Sequence, residues 1–348
     1  MEQQVDFHRA QAVLGRLNEL AERVVDRELT ADLKAGAPLD PQSRARCLSD
    51  TRFHLTYLAY AAALDAPRLF VDYAGWAKVL FVGLGLSPDH LARHLRIMGE
   101  VIAETLGDPA VERCIAAALR ALPNQPVESP SYLDGGLARS YLDRLLAGDR
   151  HGATRLILDA AKGGMPVADI YMNVFQPSQR EVGRLWHLNQ LSAAHEHYCT
   201  AATQTIMAQL YPYIFDGSPR GQGFIGTCAT GEIHELGMRM VTDLFELDGW
   251  DTTYLGASSP IAAVVALTAE RQAALIGISV TVPSYLGEAA KLIAALRAEP
   301  ALAGLKILVG GLPFYTLPKL WRELGADAVA WDAREAVRVG HELVGPAP

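Results

Sequence analysis

Along residues 1 to about 125, apolar positions return at helical intervals; Val13, Leu14, Leu17, Leu20 and Ala21 fall on one face. This stretch is predicted to be all helix. Clusters of proline, glycine and aspartate break it at Ala35 to Pro41, at Asp65-Ala66-Pro67, around Gly83 to Pro88 and at Pro123 to Pro130, giving five or six helices. The last break carries Pro123, Pro126 and Pro130 and reads as a linker. Beyond it, helical periods run over about Tyr132 to Ala147, Arg150 to Lys162, Pro166 to Trp186 and Leu191 to Phe215. Short loops between them imply an up-down bundle. From about Gly221 the pattern changes. Short apolar runs at Phe224 to Ala229, Thr252 to Gly256, Leu275 to Ser279, Lys306 to Val309 and Ala328 to Trp331 alternate with helical segments. That alternation specifies a parallel sheet wound with helices. The predicted fold is α + α/β: an N-terminal all-helical domain (1–125), a four-helix-bundle cap (130–216) and a C-terminal Rossmann-like, doubly wound parallel sheet (221–348).

Composition narrows the function. Half of the 348 residues are hydrophobic, yet no run of about 18 apolar residues lacks a charge. The opening Met1-Glu2-Gln3-Gln4-Val5-Asp6 has neither a basic flank nor an apolar core. The sequence thus predicts a soluble, cytoplasmic protein with no membrane partner. A net charge of -8 argues against direct nucleic-acid binding, which needs clustered Lys and Arg. Cys47, Cys114, Cys199 and Cys228 are scattered, so neither a zinc site nor thiol chemistry is expected of them.

The candidate chemistry sits where the first predicted strand hands over to a helix, at Thr230-Gly231-Glu232-Ile233-His234-Glu235-Leu236-Gly237. In an open α/β sheet this is the ligand-binding edge. Glu232-x-His234-x-x-Gly237 suits an imidazole metal ligand with a carboxylate behind it; a plain loop histidine is the alternative. Two other strand ends carry small or hydroxylated residues, Ser279-Val280-Thr281 and Gly310-Gly311, which can hydrogen-bond a ligand tail or let a flat group pass. No Gly-x-Gly-x-x-Gly follows a strand and no Gly-Lys-Ser or Gly-Lys-Thr occurs, so nucleotide readings are weak. In the bundle, Trp186 and His187 end one helix, and Glu196 and His197 lie one turn into the next. They could cover a ligand, or be a buried tryptophan beside solvated polar groups. Near the N-terminus, His54, Tyr57 and Leu58 share a helical face, and Phe70, Tyr73, Trp76 and Phe81 follow. Ordinary core and a pigment pocket are both compatible with that pattern.

In order and separation, Glu232-x-His234-x-x-Gly237, Ser279-x-Thr281 and Gly310-Gly311 resemble the cobalamin-binding domain of methionine synthase, the carbon-skeleton mutases and the small corrinoid proteins. That family normally has Asp where Glu232 stands. The resemblance covers about residues 130 to 348. It implies base-off cobalamin with His234 as lower cobalt ligand and the dimethylbenzimidazole tail in a channel lined by Ser279, Thr281, Gly310 and Gly311. Trp186 followed by Glu196-His197 resembles the CarH-type and LitR-type photoreceptors. By that resemblance adenosylcobalamin is the chromophore, Trp186 stacks on its adenosyl group, Glu196 hydrogen-bonds it and His197 supports the upper face. His187 would take the upper cobalt site after light breaks the cobalt-carbon bond. Those repressors carry a basic DNA-binding domain where this chain has a longer, non-basic helical one. The N-terminal region looks more like that of photocobilins, which implies biliverdin, a linear tetrapyrrole, as a second chromophore with His54 in its pocket. The expected function is therefore a non-enzymatic, light-sensing signalling protein, a homo-oligomer acting on a downstream partner. The alternative is a corrinoid carrier for a methyltransferase; a mutase subunit would need a separate barrel for the substrate.

Overall fold

The prolines that interrupt the helical pattern also start the next helices. The computed structural model describes residues 7–33, 41–214 and 221–345. After α1 (His8–Leu14) and α2 (Leu17–Leu33) come α3 (Pro41–Ala63), α4 (Pro67–Gly83), α5 (Pro88–Thr105) and α6 (Pro109–Ala121). The last four begin with proline, whose missing N–H has no partner at that position in any helix. Ser87 and Asp108 cap α5 and α6 by accepting the N–H groups of Asp89 and Ala110. The expected break at Ala35 to Pro41 lies outside the described residues except for Pro41, as do Met1 to Asp6. The chain divides into two compact units, 1–129 and 130–348. Leu55, Leu58, Phe70, Leu91 and Leu95 form the centre of the first. Its buried Lys78 donates to the carbonyls of Leu122 (2.8 Å) and Gln125 (2.7 Å), which ties down the last turn before the linker.

The second unit opens with the cap: α7 (Gly136–Leu146), α8 (Arg150–Lys162), α9 (Val167–Ile170), a π turn (Tyr171–Phe175), α10 (Gln176–His187) and α11 (Ala193–Gln209). α7 starts later than the periodicity suggests, because the N–H of Tyr132 donates to the Glu181 carboxylate (2.9 Å) and Gly135 and Gly136 turn at φ +111° and +67°. The last expected helix stops at Gln209, and Phe215 lies outside the described residues. Tyr141, Ile157, Tyr171, Phe175, Ile206 and Met207 fill the cap, together with Met240, Leu244 and Ala333 from helices of the sheet layer. Each such fully buried side chain contributes about 1.5–3 kcal/mol.

The sheet layer runs β1 (Gly223–Cys228), α12 (Leu236–Leu247), β2 (Asp251–Gly256), α13 (Ile261–Glu270), β3 (Leu275–Ser279), α14 (Leu286–Ala298), β4 (Lys306–Gly310), α15 (Leu312–Thr316), α16 (Leu320–Glu323), β5 (Ala328–Ala330) and α17 (Ala333–Val344). All strand pairs are parallel, in the order β2-β1-β3-β4-β5. Runs such as Leu275 to Ile278 are buried throughout, as helices on both faces require. Phe224 and Phe245 stack at 4.0 Å between β1 and α12. The order reverses direction between β1 and β3, which opens a crevice beyond their carboxyl ends. Among the described residues no helix is long and apolar enough to cross a membrane.

Candidate functional site

After β1 the chain must leave the sheet before α12 begins at Leu236. Gly231 makes the turn at φ +87°, and a Cβ there would lie 2.7 Å from the Tyr285 ring, so only glycine is accommodated. Next to it the Glu232 carboxylate is completely buried. Its Oε1 accepts from the backbone N–H of His234 (3.0 Å) and meets Nδ1 of the His234 ring (2.5 Å). Its Oε2 accepts from the N–H groups of Thr281 (2.8 Å) and Val282 (2.9 Å) beyond β3. Glu232 thereby fastens the β1 loop to the β3 loop across the crevice. Residues 230–235 are consequently a loop and not the first turn of the helix that the sequence suggests, since the side chain two residues back holds the His234 N–H.

Burial alone would raise the Glu232 carboxyl. The hydrogen bonds from the His234 ring and from the backbone of Val282 and His234 outweigh it and hold the group at about 2. An ionised carboxylate can only accept, so Nδ1 is the donor and the neutral ring keeps its lone pair on Nε2. The bond to Glu232 raises His234 above its ordinary value against the opposing effect of burial, with further help from the charges of Glu232 and Glu196. The His234 side chain remains 54% exposed.

The other candidates fall around this pair to different degrees. Ser279 and Gly310 are direct neighbours in the β3–β4 register. Gly311 turns at φ +115°, and a Cβ there would lie 1.9 Å from the Val280 carbonyl oxygen. Three strand ends thus bring together Glu232 and His234, Ser279 and Thr281, and Gly310 and Gly311. Glu196, on α11, accepts from Thr200 (2.9 Å) and lies 3.5 Å from Nε2 of the exposed His197. α11 is tied to the loop by Gln204, which donates to Glu235 (2.9 Å). Trp186 and His187 close α10, with Trp186 exposed and His187 half-buried. His54 lies apart, in the first unit. There it is buried, its Nδ1 bonded to the Tyr73 hydroxyl (3.1 Å) and its ring packed on His94. Burial, and then the charge of His94, lowers it well below its ordinary value.

Two contributors escaped the sequence reading. Glu235 joins Gln204 of the cap to the Tyr254 hydroxyl and the Ala257 N–H beyond β2. Ser258 accepts the N–H of Gly231 (3.1 Å). The turn-forming run Ser258-Ser259-Pro260 at a strand end was the available signal.

Among the described residues no cluster of three His, Cys, Asp or Glu could hold a metal. Ile233 is 70% and Leu312 58% exposed, apolar surface awaiting cover. A Cβ at Gly237 would meet nothing within 4 Å.

Residues 137–211 and 223–339 each match the B12 binding domain family, the first spanning the cap and the second the sheet layer. Monomethylamine corrinoid protein 2 of Methanosarcina acetivorans is 28% identical over 199 residues, 56% of this chain and 90% of that protein. Dimethylamine corrinoid protein of Methanosarcina barkeri is 27% identical over 192 residues, 54% of this chain and 88% of that protein. The solved structure of the Methanosarcina barkeri monomethylamine corrinoid protein has a TM-score of 0.53 at 24% identity. It covers 60% of this chain and 98% of its own, and shows the same fold. Site and family matches together support cobalamin binding.

These findings correct the light-sensor expectation. The matched relatives are methylamine corrinoid proteins and not photoreceptors. The physical reason lies in the motif. A helix end with Trp186 and His187, followed by a helix start with Glu196 and His197, is a short connection between two cap helices. It does not single out an adenosyl group or a light reaction. The upper-ligand role given to His187 after light goes with that reading, and so do the downstream signalling partner and biliverdin at His54. The family matches do not extend to the first unit, and nothing in them supports a second chromophore there.

Proposed function

We propose that this chain is a corrinoid carrier that serves a methyltransferase, with a methylated amine as the class of methyl donor. The Glu232–His234 pair carries the reading, because Glu232 holds Nδ1 and so leaves Nε2 as the lone-pair atom of the neutral ring, at the switch point of a B12-type fold. His234 would be the lower cobalt ligand, and Glu232 would fix its tautomer and orientation. Ser279 and Thr281 would bond the nucleotide tail, which passes Gly310 and Gly311. Ile233 and the open space at Gly237 would accept the corrin underside. Trp186, His187, Glu196 and His197 would face the upper side from the cap. The cofactor, when bound, supplies a cobalt able to take up and give up a one-carbon group. The residues of this chain hold that centre, exclude water from its lower face and leave catalysis of transfer to partner enzymes. The mono- and dimethylamine corrinoid relatives support this over the sensor reading.

The test uses the full-length protein loaded with hydroxocobalamin, chemically reduced, and given a radiolabelled methyl donor. One methyl per bound corrinoid should stay with the protein through desalting and pass to a thiol when a methyltransferase is added. Label that is never retained, or a protein that accepts only adenosylcobalamin and releases it in light, would contradict the proposal.

A further inference from the structure

The cap is held to the sheet layer by side-chain bonds of unequal kind. Gln204 donates to Glu235, Arg334 pairs with Asp169, and the Arg239 guanidinium lies over the Tyr211 ring at 5.7 Å. Arg334 and Asp169 are 49% and 38% exposed, and a pair that water can replace holds weakly. The link between Tyr171 and Asp243 is different. Tyr171 is fully buried and Asp243 is 5% exposed, and the tyrosine hydroxyl donates to Oδ2 at 2.7 Å. Tyr171 opens the π turn, which buries Tyr171, Val174 and Phe175 together, and single π turns recur at functional sites. Asp243 stands on α12, the helix that leaves the His234 loop. Burial pushes its carboxyl up to about 6, against the Tyr171 bond and the charge of Arg239. The neighbouring Arg239 Nε is buried without an acceptor. The closed arrangement therefore leaves one polar group unmet, which opening to water would satisfy.

The geometry points to Tyr171 and Asp243 as a latch that keeps the cap closed over the His234 loop and must part whenever a corrinoid enters or a partner enzyme reaches that face. The Gln204–Glu235 bond holds α11 against the loop in the closed form. Tyr171 is a positioning residue, acting on ligand access through the cap. The inference rests on the carrier reading for its ligand only; the latch itself is a property of the unliganded chain.

Two measurements on the full-length protein test it. In Tyr171→Phe, hydroxocobalamin should associate about fivefold faster, because loss of one buried hydrogen bond enlarges the open population by about that factor. Backbone hydrogen exchange of the unliganded variant should accelerate in α7, α8, α10 and α11 and stay unchanged in β1 and β3. Asp243→Asn, which keeps a carbonyl acceptor for Tyr171, should remain within twofold of the parent in both. Unchanged exchange in Tyr171→Phe, acceleration spread equally through the strands, or Asp243→Asn behaving like Tyr171→Phe would overturn the latch. If the parent fails to bind hydroxocobalamin, the carrier reading fails, and the exchange measurement still decides the latch.

Discussion

Replacing Glu232 by glutamine changes the chemistry of His234 while nearly preserving shape. The carboxylate accepts four hydrogen bonds, two on each oxygen. A glutamine side chain keeps one acceptor. With its oxygen towards Thr281 and Val282 it satisfies both N–H groups, and its NH2 then faces the His234 ring and the His234 N–H. The opposite orientation would set the NH2 against two backbone donors, so the first wins by about one unmet hydrogen bond, about 1–3 kcal/mol. In that orientation the amide donates to Nδ1, the ring proton moves to Nε2, and the lone pair no longer faces the ligand. The expected outcome is a protein that folds, is less stable by about 1–3 kcal/mol, and binds hydroxocobalamin about 10–100-fold more weakly. Its bound cobalt spectrum should lack histidine ligation. Equilibrium binding and absorption spectra of parent and variant, with urea unfolding as the stability control, make the comparison. Affinity within threefold of the parent and an unchanged spectrum would refute the tautomer argument.

Gly311→Ala should destabilise the protein by about 3 kcal/mol or more, since φ +115° disfavours any Cβ and this one would strike the Val280 carbonyl; thermal unfolding measures it. The double variant Ser279→Ala, Thr281→Val should leave unliganded stability within about 0.5 kcal/mol, yet weaken corrinoid binding about tenfold by removing the two hydroxyls proposed to bond the ligand. Acid should weaken the fold through Glu232. Its folded value of about 2 lies below the ordinary 4.5, so its contribution is complete above pH 4.5 and is lost as pH falls towards 2. That contribution is on the order of 3 kcal/mol, and urea midpoints between pH 6 and pH 3 should fall less in Glu232→Gln than in the parent. His234 acts oppositely: raised above 6.5, its contribution is complete below that pH and lost as pH rises through the folded value.

Local signals were readable wherever local chemistry sets the structure. α8 runs over the predicted Arg150 to Lys162 because Asp149 caps its start by accepting the Gly152 N–H and glycine follows its end. β3 likewise matches its apolar run, Leu275 to Ser279. What stayed hidden depends on partners distant in sequence. The late start of α7 is imposed by Glu181, and the bonds that make Glu232 a bridge reach 49 and 50 residues ahead. The π turn left no trace because its apolar residues still fall on an inward face. At the site, the contact between Glu232 and His234 was readable because both lie within one loop, with Gly237 following in the first turn of α12. Trp186 to His197 misled, because spacing records a covering helix pair and not the group beneath it.

The account turns on His234 Nε2 meeting cobalt. Full-length protein grown with nitrogen-labelled histidine, loaded with cobalamin and reduced to cobalt(II), gives an electron paramagnetic resonance spectrum whose nitrogen coupling reports the axial ligand. Heavy-nitrogen histidine should change that coupling in the parent, and the change should vanish in His234→Ala. A coupling indifferent to histidine labelling, or one that persists in His234→Ala, would contradict the assignment.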